Sequence, residues 1–116
     1  MKMLHVTIQT DQFEKEMEFY EKYVGLTLQA DLRPKGKDLV FFGANEEATR
    51  IEVLRNPDAA NAGNENLSIG FQTENVEAKR EEMIEAGFEA TPMITPTPGV
   101  KFFFVKDPAG VNVQFM

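Results

Sequence analysis

The sequence predicts an α+β fold made of two copies of one unit, each running strand, helix, strand, strand, strand. Three observations carry this reading. The chain ends in a hairpin pattern, FFFVKDPAGVNVQFM over residues 102–116, where an aromatic run meets Asp107-Pro108-Ala109-Gly110 and then the alternating Val111-Asn112-Val113-Gln114-Phe115. Pro pre-sets φ early in a tight turn and Gly accepts the positive φ that closes it. Sliding the chain so that Phe41-Phe42 falls under Phe103-Phe104 puts Asn45 under Asp107 and Ile51-Glu52-Val53 under Val113-Gln114-Phe115, with no gap. Each half also opens on an alternating strand followed by a helical stretch: His5 aligns with Ser68 and Gly25 with Gly87, the register changing by one residue within the helix.

The 116 residues suit one domain, 1–116, with halves of about 1–60 and 64–116. Apolar residues at 42% and charged residues at 27% are ordinary globular values. A formal charge of −7 without a basic stripe argues against nucleic acid as a partner. The chain has no cysteine, so disulfides, thiolate metal sites and a cysteine nucleophile are excluded. The opening MKMLHVTIQT alternates instead of forming an apolar run, so no signal peptide or membrane span is expected, and the cytoplasm is the expected location.

Residues 4–9 alternate, with Leu4, Val6 and Ile8 on one face and His5, Thr7 and Gln9 on the other. Asp11 and Glu14 have capping-box spacing for a helix over 12–24, in which Phe13, Met17, Tyr20 and Val24 recur at helical period and Gly25 is the stop. Strands are expected over 26–32, 38–43 and 49–55, the first two joined by the turn Arg33-Pro34-Lys35-Gly36. The polar stretch 56–66, NPDAANAGNEN, connects the halves. Leu67, Ile69 and Phe71 then alternate with Ser68, Gly70 and Gln72. A second helix follows over 75–86, with Asn75 as N-cap, Val76 and Met83 inward and Gly87 as stop. Phe88 to Ala90 reads as a short strand, and the three prolines of 91–99 mark a loop.

Chemistry is expected where a polar residue interrupts an apolar strand at an equivalent point of each half: His5 and Ser68 on the first strands, Glu52 and Gln114 on the last. Taken singly, His5 and Glu52 fit a plain surface or packing position better than a site. Together, an imidazole and a carboxylate converging on one cavity suit a divalent metal. Phe41 and Phe103 are candidates to line the cavity beside them, although ten phenylalanines must also build the core.

The register and these residues together resemble the vicinal oxygen chelate superfamily, the glyoxalase, bleomycin-resistance and extradiol-dioxygenase group. The resemblance spans the chain. LHVTIQTDQFEKEMEFYEKYVGLTL resembles the family's first strand, its helix with the aromatic pair Phe19-Tyr20 and the V-G-L step; TRIEVL resembles the fourth strand; NLSIGFQTENVEAKREEMIEAGF resembles the opening of the second half. The ending FFFVKDPAGVNVQFM carries the most specific motif, with Ala109 where the family often has Asp or Asn.

This resemblance implies two βαβββ units contributing to a curved mixed sheet around a cavity, and homodimers whose sites combine halves of both chains. It implies metal ligands (Ni, Zn, Mn or Fe) at His5, Glu52 and Gln114, with Glu52 also the catalytic proton carrier and Ser68, Phe41 and Phe103 as ligand-binding residues. Two positions depart from the glyoxalase I ligand set: Ser68 replaces His and Gln114 replaces Glu. Neutral amide and hydroxyl oxygens compensate a divalent ion poorly for its lost water. Gln114 cannot accept a proton, which leaves Glu52 as the carboxylate able to do so. The expected function is therefore binding of a small organic molecule in a dimer-interface cavity with an incomplete metal-ligand set. The alternative is a metal-dependent enzyme similar to lactoylglutathione lyase.

Overall fold

The computed structural model describes residues 1–60 and 65–116, and the chain divides into two compact units, Met1–Ala62 and Gly63–Met116. In the first unit the order is β1 (His5–Thr10), α1 (Phe13–Glu18) extended by a π-helical turn over Phe19–Tyr23, β2 (Thr27–Asp31), β3 (Leu39–Gly43) and β4 (Arg50–Arg55). In the second it is β5 (Ser68–Phe71), α2 (Val76–Glu85), β6 (Phe103–Lys106) and β7 (Asn112–Phe115). Each unit holds one mixed sheet, ordered β1-β4-β3-β2 and β5-β7-β6, in which the first strand runs parallel to the last and the other pairs are antiparallel. The connection expected over 56–66 falls partly outside the described residues, which omit 61–64. Among the described residues no helix is long and apolar enough to cross a membrane.

The first sheet buries Ile8, Val40, Phe42, Ile51 and Val53 on one face, against the helix that supplies Phe13, Phe19 and Tyr20. Burial of side chains this size contributes roughly 1.5–3 kcal/mol each. Leu4, expected on this face, lies ahead of β1 and is 65% exposed; its carbonyl still accepts from the Arg50 N–H. The capping box does not form. Gln12 is the N-cap without a side-chain bond, its N–H donates to Thr10 Oγ1, and the Glu14 carboxylate is taken instead by Arg55. Arg55 also donates to Asp38 at 2.7 Å and sits over the Phe13 ring at 4.9 Å. Its hydrogen bond holds the Glu14 carboxyl below the usual range, so this contribution is present at neutral pH and is lost as acid protonates Glu14.

The helix expected over 12–24 is α-helical only as far as Glu18. Val24 N–H then bonds back to Phe19 O, one residue beyond the α-helical spacing. A π turn accommodates one inserted residue, and the first half has one residue more than the second between strand and stop glycine. Gly25 and Gly87 close their helices at φ 81° and 93°, a backbone region that side chains disfavour.

In the second unit Asn75 caps α2 by accepting from Ala78 N–H at 2.9 Å. Met83 is the buried residue of that helix, and Val76 is half-buried. Phe88–Ala90 does not form a strand: a single bridge joins Ala90 to Val105. Past it, Thr91 N–H bonds Phe104 O, but Phe104 N–H turns to the Thr91 hydroxyl oxygen at 3.0 Å, and Pro92 has no N–H with which to continue a ladder.

The terminal turn depends on Asp107. Its carboxylate is buried and accepts from Ala109 N–H and Val111 N–H, both at 2.9 Å through Oδ1, while Gly110 closes the turn at φ 87°. Asp107→Ala is expected to cost about 2–3 kcal/mol by removing a charged acceptor from two buried donors, and Asp107→Asn about 1 kcal/mol, since an amide oxygen still accepts. Urea unfolding of the two variants checks both values.

Candidate functional site

The face of the first sheet opposite the helix carries the polar residues. Parallel pairing of β1 and β4 sets Thr7 directly opposite Glu52 and His5 opposite Arg50; antiparallel pairing sets Phe41 opposite Glu52 on the other side. Paired residues share a face, so Thr7, Glu52 and Phe41 form one row across three strands. Thr7 Oγ1 donates a hydrogen bond to Glu52 Oε1, and His5 Nε2 lies 3.6 Å from that same oxygen. The His5 ring meets Phe41 edge-on, with centroids 5.7 Å apart. The Glu52 side chain is only 13% exposed while His5 is 41% exposed, so the carboxylate sits low between flanking groups with the imidazole at its rim.

In the second sheet the corresponding face carries Ser68, Gly70, Asn112, Gln114, Phe104 and Lys106. Gly70 is opposite Gln114 as Thr7 is opposite Glu52, and a Cβ on Gly70 would stand 3.3 Å from Gln114 Oε1. The amide thus lies over a position with no side chain, whereas the carboxylate of the first unit is held by one. A groove of about 770 Å³ opens in this unit, lined by Ser68, Phe88, Phe104, Lys106 and Asn112 among others; Gln114 is not part of its wall. Its volume falls within the range of small-molecule sites.

The structure brings His5, Glu52 and Phe41 together on one open face and places Ser68 and Gln114 on one face of the second sheet. Phe103 is a correction. It pairs with Phe115, is fully buried on the helix side, and stacks on Phe115 at 5.5 Å, whereas Phe104 is the aromatic residue opposite Gln114. The gap-free overlay of the two hairpins fails here because the second connection is one residue shorter. In a strand, a shift of one residue exchanges the two faces. Thr7 and Phe104 are the residues that reading the sequence missed. Thr7 stands two places after His5 on the same polar side, which alternation alone marks; its partner is revealed only by the strand register.

Among the described residues no three histidine, cysteine, aspartate or glutamate side chains are grouped so as to hold a metal ion. The first unit brings together one imidazole and one carboxylate, whose Oε1 is already bonded to Thr7, and the equivalent positions of the second unit supply only hydroxyl and amide oxygens. This donor set does not fit a resident divalent ion.

A model of the glyoxalase/bleomycin resistance protein/dioxygenase superfamily matches residues 2–115, and the chain belongs to that superfamily. No curated protein matches it by sequence. Solved structures share the fold at low identity. The trypanothione-dependent glyoxalase I of Leishmania major has a TM-score of 0.77 at 22% identity, covering 100% of this chain and 86% of its own. A possible glyoxalase from Bacillus cereus gives 0.76 at 21%, covering 100% and 98%. TnmS3, an antibiotic binding protein from Streptomyces sp. CB03234, gives 0.76 at 19%, covering 99% and 93%.

The placement of the two phenylalanines is testable by unfolding. Phe103→Ala is expected to cost about 3–5 kcal/mol, as for a large core side chain, and Phe104→Ala less than half as much, because its ring is only partly buried. Equal losses would contradict this assignment of faces.

Proposed function

We propose that the protein binds a small organic molecule, in a cavity completed when two copies pair, without a resident metal ion. The observation that carries this reading is the Glu52 carboxylate, low on an open sheet face, bonded by Thr7 and flanked by the His5 and Phe41 rings. A negative group beside two rings suits an organic ligand carrying a protonated amine, since the carboxylate supplies charge and the rings supply apolar contact. Ser68 and Phe104 line the groove of the second unit and extend the same character. The acidic surface, a net charge of −7, suits a cationic ligand and argues against nucleic acid.

Pairing is supported by edges and by exposed apolar residues. In the first sheet β1 and β2 are the outer strands and in the second β5 is, whereas the outer side of β6 is bridged by Ala90 and Thr91. Leu4 and Leu67 stand at equivalent points just before the first strand of each unit and are 65% and 62% exposed. Light scattering is expected to give a dimer at micromolar concentration, and a stable monomer would remove the shared cavity.

Ligand binding is tested with metal-free bleomycin and a panel of cationic aromatic compounds by calorimetry in the presence of EDTA. Binding is expected without added metal, and Glu52→Gln is expected to weaken it about tenfold, the value of one charge-assisted hydrogen bond. Binding that requires Ni²⁺ or Zn²⁺, or turnover of the methylglyoxal–glutathione hemithioacetal by metal-loaded protein, would replace this reading with the lyase.

A further inference from the structure

We infer that Thr7 is a positioning residue for the ligand-contacting carboxylate, an inference that rests on the binding role of Glu52 proposed above. Parallel register places Thr7 and Glu52 directly opposite one another, so their side chains leave neighbouring strands on the same face. The Thr7 hydroxyl donates to Oε1, and the His5 imidazole approaches that same oxygen at 3.6 Å. No hydrogen bond or ion pair among the described residues falls on Oε2. The carboxylate is therefore held by one oxygen and offers the other.

A glutamate has three side-chain torsions, and leaving them free would require them to be ordered when a ligand arrives. A β-branched donor on the adjacent strand, itself restricted at χ1, orders them during folding instead. The second unit lacks this device. Gly70 occupies the place of Thr7, so β5 sets no side-chain donor opposite the Gln114 amide that stands in the place of Glu52. The fixed acceptor belongs to the first unit alone.

The first arm of the test needs no ligand. In the wild-type protein at low temperature, NMR is expected to show a Thr7 hydroxyl proton protected from exchange, with the resonance lost in Glu52→Ala. An unprotected hydroxyl in the wild type would overturn the inference. The second arm measures affinity for metal-free bleomycin. Thr7→Val, which keeps the shape and the branched strand residue, is expected to weaken binding about tenfold, and Thr7→Ser, which restores the hydroxyl, to stay within about threefold of wild type. In a Glu52→Gln background, Thr7→Val is expected to add less than about twofold, because its effect runs through the carboxylate. An equal loss in both backgrounds would overturn the positioning role. If the wild type binds no probe, the binding function fails by itself, and the hydroxyl resonance alone decides whether Thr7 holds Glu52.

Discussion

In both units the first strand lies parallel to the last, and the rest of each unit is built on that pairing. Parallel strands cannot be joined by a tight turn, so the chain must leave the sheet and return, and a helix makes the return. The helix covers one face of its sheet. That face is where Ile8, Val53, Val40 and Phe42 are buried in the first unit and Val113, Val105, Phe103 and Phe115 in the second. The opposite face is left for polar residues, and the alternation of each strand delivers them there. The core and the candidate site are thus two sides of the same strands.

The two units use this plan differently. In the first, the row opposite the helix holds a hydroxyl, a carboxylate and an aromatic ring; in the second it holds a glycine, an amide and an aromatic ring. A carboxylate in a partly buried position needs a donor, and Thr7 supplies one from the facing strand. An amide is neutral and tolerates a weaker setting. The structures that share this fold include a glyoxalase I and an antibiotic binding protein. A shared fold does not set the chemistry, which depends on the side chains that each chain places on it.

Small differences between the halves are absorbed locally. The extra residue in the first helix becomes a π turn, so the strands on either side keep their register. The shorter connection before β7 has the opposite result, since the β6–β7 register runs without a bulge and the difference turns the side chains of β6 over. Phe103 is therefore core and Phe104 is on the open face, against the simple overlay of the two sequences.

The sequence by itself determined the order of elements, their periods and their stops. Alternation marked β1, β4, β5 and β7, and glycines at Gly25 and Gly87 ended both helices as expected, because local sterics and burial period act through neighbours in the chain. It also marked His5, Glu52 and Phe41 as residues of one polar-aromatic face. What only the tertiary structure decided was partnership. Glu14 capped no helix because Arg55, far along the chain, bound its carboxylate instead. Phe88–Ala90 gave one bridge, with Phe88 N–H kept by Met83 O at the helix end and Asp107 N–H by Val111 O in the terminal turn. Thr7 acquired its hydrogen-bond partner from strand pairing, which placed Glu52 opposite it. Period is a property of a segment, whereas register is a property of two segments, and the chemistry of this face depends on register.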